Sequence, residues 1–399
     1  MKGASRMPDA VPQTAIILSG GGARAAYQVG ALRAISHIVG RSAPLPFRVI
    51  CGTSAGAINA TLLAINADDF RRGVARLSRW WRRVTVEDIY RGDLTSLARH
   101  SARFMASVLT GRSGPARVAS MFDNAPLTDL LRRELDFAKL DPLIESGHLH
   151  ALSINATSYT SGHAVTFYQG APQVTPWQRL RRRGQRARLA ADHLMASTAI
   201  PFVFPAGMID DDYYMDGSVR QIAPLSQALH LGATRVLVLA VGQFAGQRPP
   251  AGPPQYPSFA QVAGHALSSV FLDNMGADIE RLTQYNRMID RLPAAAREMN
   301  GQSVKHVDAL VLAPSQDVAT LALRHVDSLP ATVRAVLRGF GSTQGTGANL
   351  TSYLLFDRGF CRDLLAMGYA DAMARRDEIE AFLEGEATRY LPLPPRELA

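Results

Sequence analysis

Cysteine is scarce: Cys51 and Cys361 are the only two in 399 residues. Two thiols can build neither a disulfide framework nor a four-ligand zinc site, and a reducing compartment suits them. Long apolar runs are also missing. The longest obvious one, Val236 to Val241, is far short of the roughly 20 residues that span a bilayer. Met1 to Thr14 holds no apolar stretch leading to a small-residue cleavage site. The expectation is a cytoplasmic protein whose membrane contact, where it occurs, is peripheral. A third absence is local: no Asp or Glu occurs between Val11 and Ala67.

What is present is globular. Hydrophobic residues make up 47% and charged residues 19%, enough to bury a sizeable core. The formal net charge of +9 favours anionic partners. Arginine supplies most of it, in two clusters: Arg71, Arg72, Arg76, Arg79, Arg82 and Arg83, then Arg179, Arg181, Arg182, Arg183, Arg186 and Arg188. Trp80 and Trp81 stand in the first cluster and Trp177 beside the second. That mixture suits an anionic membrane interface. It equally suits a solvated helix face with the tryptophans turned inward. No nucleic-acid-binding motif accompanies the charge, so nucleic acid is not expected as a partner.

The pattern along the chain alternates. Ala15 to Leu18 reads as a buried strand, Ser19 to Gly22 as a loop, and Ala23 to Val39 as a helix with Val29, Leu32, Ile35 and Val39 on one side. Phe47 to Cys51 is a second strand, Gly52 to Gly56 a turn, and Ala57 onward a second helix. Strand, turn and helix repeated twice is the mark of a parallel α/β sheet. Residues 69–135 read as mostly helical, with a helix start at Asn124-Ala125-Pro126, Asn capping and Pro in the first turn. Ala151–Ala156 and Ala164–Tyr168 read as strands around a Thr160-Ser161-Gly162 turn. The second arginine cluster falls in a helix or loop, Val236–Val241 is a buried strand, and Ala309–Ala313 is a short one. Helices are expected over Ser258–Ile289 and Leu364–Leu383, with a glycine-rich loop at Gly339–Gly347. The expected fold is a three-layer α/β/α arrangement around a mostly parallel central sheet. The divisions fall at 14–245 (catalytic), 246–257 (a Pro/Gly-rich loop) and 258–399 (mostly helical, packing on or completing the first).

Three local features carry chemistry together. Gly52-Thr53-Ser54-Ala55-Gly56 lies between a strand and a helix. A serine at so sharp a turn holds its hydroxyl clear of the sheet, at the positive end of the next helix. Gly20-Gly21-Gly22-Ala23-Arg24-Ala25 also joins a strand to a helix, and backbone N–H groups at such a turn are suited to a developing oxyanion. Asp216-Gly217-Ser218 follows Tyr213-Tyr214-Met215; alone it reads as a turn.

In this chain order the set resembles the patatin-like phospholipase family: a glycine-rich loop, a Gly-x-Ser-x-Gly elbow, then an Asp-Gly pair. Ala196-Ser197-Thr198-Ala199-Ile200-Pro201, Phe204-Pro205 and Pro224-Leu225 with Gly232-Ala233 are similar to it as well. The resemblance covers about 14–245 well and is vaguer beyond. Two positions depart from it. Ala25 stands where the family usually has glycine, which puts a positive φ there in doubt, and the aspartate motif ends in Ser218. What the resemblance implies is a serine lipid acyl hydrolase of phospholipase A or lysophospholipase type. It implies Ser54 as nucleophile, Asp216 as proton acceptor, N–H groups near Gly21, Gly22 and Ala23 holding the oxyanion, and neither metal nor organic cofactor. Arg24 would then steady the loop or meet a lipid phosphate, or be an ordinary solvated side chain. The substrate would be a phospholipid or another acyl ester presented at an anionic membrane surface.

The same residues admit rival readings. Gly20-x-Gly22-x-x-Ala25 fits the dinucleotide fingerprint, but the acidic ribose ligand expected about 20 residues on is missing from this acid-free stretch. A Ser-His-Asp carboxylesterase could draw on His230, His265, His306 or His325, all after Asp216. A catalytically silent lipid-binding protein would retain the fold without the reaction, although both dyad residues are present. Headgroup, sn-position and oligomeric state are not legible, and capping or gating of the acyl pocket is a role open to residues 300–399.

Overall fold

The computed structural model describes residues 13–40, 43–91, 120–243, 262, 269, 274–293, 298–299, 302–303, 305–339 and 348–385. The proline-rich loop at 246–257, most of the first half of the helix expected from Ser258, and all but its first residue of the Gly339–Gly347 loop lie outside these residues.

The strands are β1 (Gln13–Leu18), β2 (Val49–Thr53), β3 (Ala151–Ser158), β4 (Ala164–Gly170), β5 (Trp177–Arg179), β6 (Arg182–Arg186), β7 (Gly207–Ile209), β8 (Asp212–Asp216), β9 (Ala233–Leu239), β10 (Glu298–Met299), β11 (Gln302–Ser303) and β12 (Asp308–Leu312). The helices used below are α1 (Ala26–Ile38), α2 (Ala55–Ala64), α3 (Phe70–Arg83), α4 (Ala125–Glu134), α5 (Ala191–Ser197), α6 (Asn274–Arg291), α7 (Ala348–Leu354) and α8 (Arg358–Ala374).

The main sheet runs β12-β9-β1-β2-β3-β4-β6-β5, with β8 also paired to β3 and β7 to β8. β12, β9, β1, β2 and β3 are mutually parallel, while β4 joins β3 antiparallel. The sheet is therefore mixed with a parallel centre, as expected. Parallel strands are covered on both faces and so read as continuous apolar runs, and side chains alternate between the faces. Ile16, Leu18, Ile50 and Leu152 enter the core beneath α1, α2, α3 and α8, whereas Ala15, Ile17, Val49, Val236 and Val238 enter the one beneath α6. Two cores on opposite faces of one sheet make the three layers. Burying each aliphatic side chain of this kind contributes about 1.5–3 kcal/mol.

Several elements differ from expectation. The turn Gly22–Ala25 is a 3-10 segment leading into α1. Asn124 does not cap α4 with its side chain; the Asp123 carboxylate accepts the Ala125 N–H instead (2.9 Å). Pro126 does sit in the first turn. The helix expected at Leu364–Leu383 is two helices, α8 and Arg376–Glu384, broken at Arg375. There the Arg375 guanidinium is held by Glu378 (2.6 Å).

The second arginine cluster is mostly strand, with Arg181 in a turn and Arg188 in the irregular stretch that follows. It forms the hairpin β5–β6 at the sheet edge, with Arg181 at positive φ (56°) in the turn. Gly184 lies under the Trp177 ring, where any Cβ would collide, and that ring stacks on Tyr168 and His230 at 5.3 and 4.8 Å. The edge strand β5 is only three residues long and ends in Arg179; a short, charged edge discourages pairing with another chain. In the first cluster the two tryptophans divide. Trp81 is fully buried, while Trp80 is half-buried against the same core. No helix among the described residues is long and apolar enough to cross a membrane.

Candidate active site

β2 ends its pairing with β3 at Thr53↔Asn155. β8 begins at the next residue of β3, with Asp216↔Ala156. Since β4 occupies the other side of β3 across this stretch, β2 and β8 meet end to end on the same side. That register brings the residue after Thr53 beside Asp216, across 162 residues of sequence. Ser54 and Asp216 are 2% and 1% exposed.

Ser54 has φ 55° and ψ −132°, a strained conformation for a side chain with a Cβ that costs about 1–3 kcal/mol. Its neighbours enforce it. The Ser54 N–H donates to Ser197 Oγ of α5 (2.9 Å), and the Ala57 N–H donates to Ser54 O (2.8 Å). Gly56 lies so close to the Leu18 and Ser19 carbonyls that a Cβ would overlap them; only glycine lets α2 start there. The hydroxyl therefore sits at the first turn of α2, whose unpaired N–H groups favour developing negative charge.

Asp216 is fixed twice. Its N–H donates to Ala199 O (2.8 Å), and its Oδ1 accepts the Ser218 N–H (2.9 Å). Oδ2 is buried with no aligned hydrogen-bond donor, which leaves a lone pair for an incoming proton. Burial pushes the carboxyl pKa up to about 6; the nearby Ser54 hydroxyl and the Ser218 N–H and hydroxyl pull it part of the way back. Gly217 packs against the Asn155 carbonyl with no room for a Cβ. Behind the pair, Asn155 Nδ2 donates to Thr53 Oγ1 (3.0 Å) and Gln227 Oε1 (2.6 Å), and Thr53 Oγ1 donates to Gln221 Oε1 (3.1 Å). Buried networks satisfied in this way rigidify what they touch.

The glycine turn faces the same cavity as Ser54. The Arg24 N–H donates to Gly21 O (3.1 Å), whereas those of Gly20, Gly21, Gly22 and Ala23 have no carbonyl partner among the described residues. Ala25 has φ −64°, so no positive φ is needed where the family usually has glycine. Gly22 does need it, at φ 55°, and its α-carbon lies against the Tyr353 carbonyl of α7. Gly22→Ala should therefore push α7 off the loop. The expected outcome is a loss of about 3 kcal/mol or more in stability, checked by thermal melts.

Arg24 is 3% exposed and is neither solvated nor free for a lipid phosphate. Its Nε donates to Ser352 Oγ (2.8 Å) and an Nη to Asn349 Oδ1 (2.9 Å), and its guanidinium lies 4.1 Å from the Tyr353 ring centroid. It ties the loop to α7. A second chain of contacts holds the loop from behind. Trp81 Nε1 donates to Asn59 Oδ1 (2.7 Å), Asn59 Nδ2 to Gln28 Oε1 (2.9 Å), and Gln28 Nε2 to Ser19 O (2.8 Å).

The cavity holds only about 30 Å³ and is walled by apolar groups including Ile58, Trp81, Phe204, Tyr353 and Phe356. No histidine among the described residues lines it. His230 stacks on Trp177, His306 pairs with Asp290 and Asp308, and His325 with Asp363; His265 lies outside the described residues. Among the described residues no group of three or more His, Cys, Asp or Glu could hold a metal.

The sequence reading missed Ser197 as a partner of the elbow. It also missed Gln28, Asn59, Asn155, Gln227 and the α7 contacts of Arg24. Ser197 lay inside a stretch already singled out, but its role depends on a contact 143 residues away.

Two solved structures align over most of the chain. VipD from Legionella pneumophila covers 92% of this chain and 67% of its own at 12% identity, with a TM-score of 0.36. A chain of the complex of SpcU with ExoU, from the type III secretion system of Pseudomonas aeruginosa, covers 94% and 80% at 17% identity, with a TM-score of 0.26. No curated protein matches the chain. Likenesses this distant decide nothing, but the family comparison does: residues 16–229 match patatin-like phospholipases. That span is more than half of the chain and contains the glycine turn, the Ser54 elbow and the Asp216 loop. The chain therefore belongs to the patatin-like phospholipase family.

Proposed function

We propose that this chain is a serine lipid acyl hydrolase of phospholipase A or lysophospholipase type, working through a Ser54–Asp216 dyad and the Gly20–Ala25 loop. The observation that carries the reading is the end-to-end meeting of β2 and β8 on β3, which sets Ser54 beside a buried carboxylate whose Oδ2 is unoccupied and whose pKa is raised to about 6. A carboxylate in water, with a pKa near 4, is too weak a base for a serine; burial strengthens it.

In the first half-reaction Ser54 Oγ attacks the ester carbonyl carbon as its proton passes to Asp216. The carbonyl oxygen becomes an oxyanion facing the N–H groups of Gly21, Gly22 and Ala23, which have no carbonyl partner among the described residues, and the helix dipole of α1 adds to their effect. Collapse breaks the ester C–O bond, and the leaving alcohol takes the proton from Asp216. In the second half-reaction water gives a proton to Asp216 while attacking the acyl-enzyme. Collapse then releases the fatty acid and returns the proton to Ser54.

The cavity of about 30 Å³ has roughly the volume of one water molecule, so an acyl chain needs its walls to part. α7 and Phe356 form one wall. Together with β12, which extends the central sheet beyond β9, they support a region after residue 258 that completes the catalytic domain. The exposed arginines of α3 support approach to an anionic membrane surface, and a cytoplasmic site of action fits the two free thiols. A histidine-based esterase is disfavoured by the lining of the cavity.

Product analysis on defined phospholipids is the test. Wild-type protein should release free fatty acid and a lysophospholipid, or the glycerophospho-alcohol from a lysophospholipid, and Ser54→Ala should release neither. Release of a phosphorylated headgroup instead would sink the acyl-hydrolase reading. Full cellular function of the Ser54→Ala variant would favour a silent lipid-binding protein.

A further inference from the structure

α3 is amphipathic in an unusual way. Phe70, Val74, Leu77 and Trp81 make its buried stripe, and arginines occupy both flanks of that stripe. Asp69 caps its first turn, accepting the Arg72 N–H (2.9 Å). Asp68 accepts from the Arg72 guanidinium (2.5 Å). The acids at the head of the helix are thereby engaged with Arg72 and the cap, leaving the other arginines to themselves.

On one flank, α3 forms a groove of about 400 Å³ lined by Arg76, Arg79, Arg83 and Arg133 together with Asp88 and Glu134. Two carboxylates answer part of its charge: Arg133 pairs with Glu134 (3.8 Å), and Arg76 donates to the Glu134 backbone carbonyl (2.9 Å). The other flank differs. There α3, the end of α1 and Tyr369 of α8 enclose a groove of about 520 Å³, lined by Arg33, Arg71, Arg79, Arg82 and His37 and by no carboxylate. None of these four guanidiniums makes an ion pair with a described residue. Arg33 lies over the Tyr369 ring at 5.5 Å, and the Tyr369 hydroxyl is bonded to His37 Nδ1 (2.8 Å), so the two aromatic groups brace each other. Four like charges gathered around one concavity repel unless an anion lies among them.

We propose that this groove binds a small anion carrying two or more phosphate groups, held by Arg33, Arg71, Arg79 and Arg82. Guanidinium forks match phosphate oxygens in pairs. Donors set on two helices suit a ligand with phosphates on more than one side, and the volume is that of a small-ligand site. No residue of the groove lines the Ser54 cavity, so the proposal stands or falls independently of the hydrolase reading. The polyphosphate chemistry could be free in solution or carried on a lipid headgroup.

The test uses the full chain, with tripolyphosphate and monophosphate in calorimetric titrations at about 0.15 M salt. In parallel, phosphatidylcholine vesicles are sedimented with and without a pyrophosphate-headgroup lipid. Arg71→Gln with Arg82→Gln is compared with Arg287→Gln plus Arg291→Gln, which removes the same charge from exposed positions of α6. Arg71 and Arg82 are themselves exposed, so the melt of the first variant should match wild type. Tripolyphosphate should bind wild type at least about tenfold more tightly than monophosphate, and the first variant should lose at least about tenfold while the second loses little. Loss confined to the pyrophosphate vesicles assigns the site to a lipid headgroup. Absence of binding to tripolyphosphate and to the pyrophosphate-lipid vesicles alike, or equal loss in the two variants, overturns the proposal.

Discussion

Replacing Ser54 with alanine should lower ester hydrolysis by at least about 10⁴-fold and abolish labelling by a fluorophosphonate probe, with the fold intact. The first effect is large because the proposed mechanism forms its acyl intermediate on this hydroxyl, the other hydroxyl of the elbow, Thr53 Oγ1, being engaged with Gln221 and Asn155; a neighbouring water would be left to attack without the entropic advantage of a fixed nucleophile. The second follows because the probe reports the activated oxygen directly. The fold survives because the strained φ of 55° at Ser54 is held by the backbone and its surroundings. The Ser54 N–H is taken by Ser197 Oγ and its carbonyl by the Ala57 N–H, and alanine keeps both bonds. Activity and labelling measured beside a thermal melt separate the outcomes. Labelling that persists on another residue, with turnover unchanged, would remove Ser54 from the mechanism.

The parts of the site legible in the sequence are those built over short distances. The run Ala15–Leu18 before three glycines, and Phe47–Cys51 before Gly52, announce strand, turn and helix because apolar runs and glycine act locally. The serine turn and the glycine turn could be located for that reason, and the resemblance then pointed to Asp216 as the proposed partner of Ser54. The parts that were not legible depend on pairings between distant segments. β8 is a strand because β3 extends past the end of β2 and offers an unpaired edge; in Asp212–Asp216 itself the strand preference of Tyr213 and Tyr214 is set against an acid at each end. Whether Arg24 steadies the loop, meets a lipid phosphate or is solvated stayed open because its partners, Asn349 and Ser352, lie more than 300 residues away. The arginines at 179–188 suggested helix or loop because arginine has little strand preference. Their hairpin forms where β4 offers an edge to β6 and where Gly184 leaves room for the Trp177 ring. The last helix seemed continuous because its apolar periodicity passes through Arg375, whose ion pair with Glu378 opens the new helix.

Asp216→Asn should lower turnover by about 10²–10⁴-fold while making the folded protein more resistant to unfolding at pH 8. The two effects have one cause. Burial raises the Asp216 pKa from 3.8 to about 6, so the folded state binds a proton more tightly than the unfolded chain does. Below pH 3.8 both states hold the proton and folding gains this preference in full. As the pH rises through 6 the preference is lost, and the native state must carry a buried carboxylate at a cost of about 3 kcal/mol relative to its protonated form. Asparagine has nearly the same shape and never ionises. The variant should therefore match the wild type in stability near pH 4 and exceed it above pH 6, in denaturant titrations at both pH values. Catalysis runs in the opposite sense. Only ionised Asp216 can accept the Ser54 proton, so wild-type kcat/KM should climb tenfold per pH unit below about 6 and level off above it. The residual activity of the variant should lack that limb. Wild-type turnover in Asp216→Asn, with the limb still present, would assign the proton to another base. Lost activity accompanied by lower stability at pH 8 would show that Asp216 holds the loop rather than the proton.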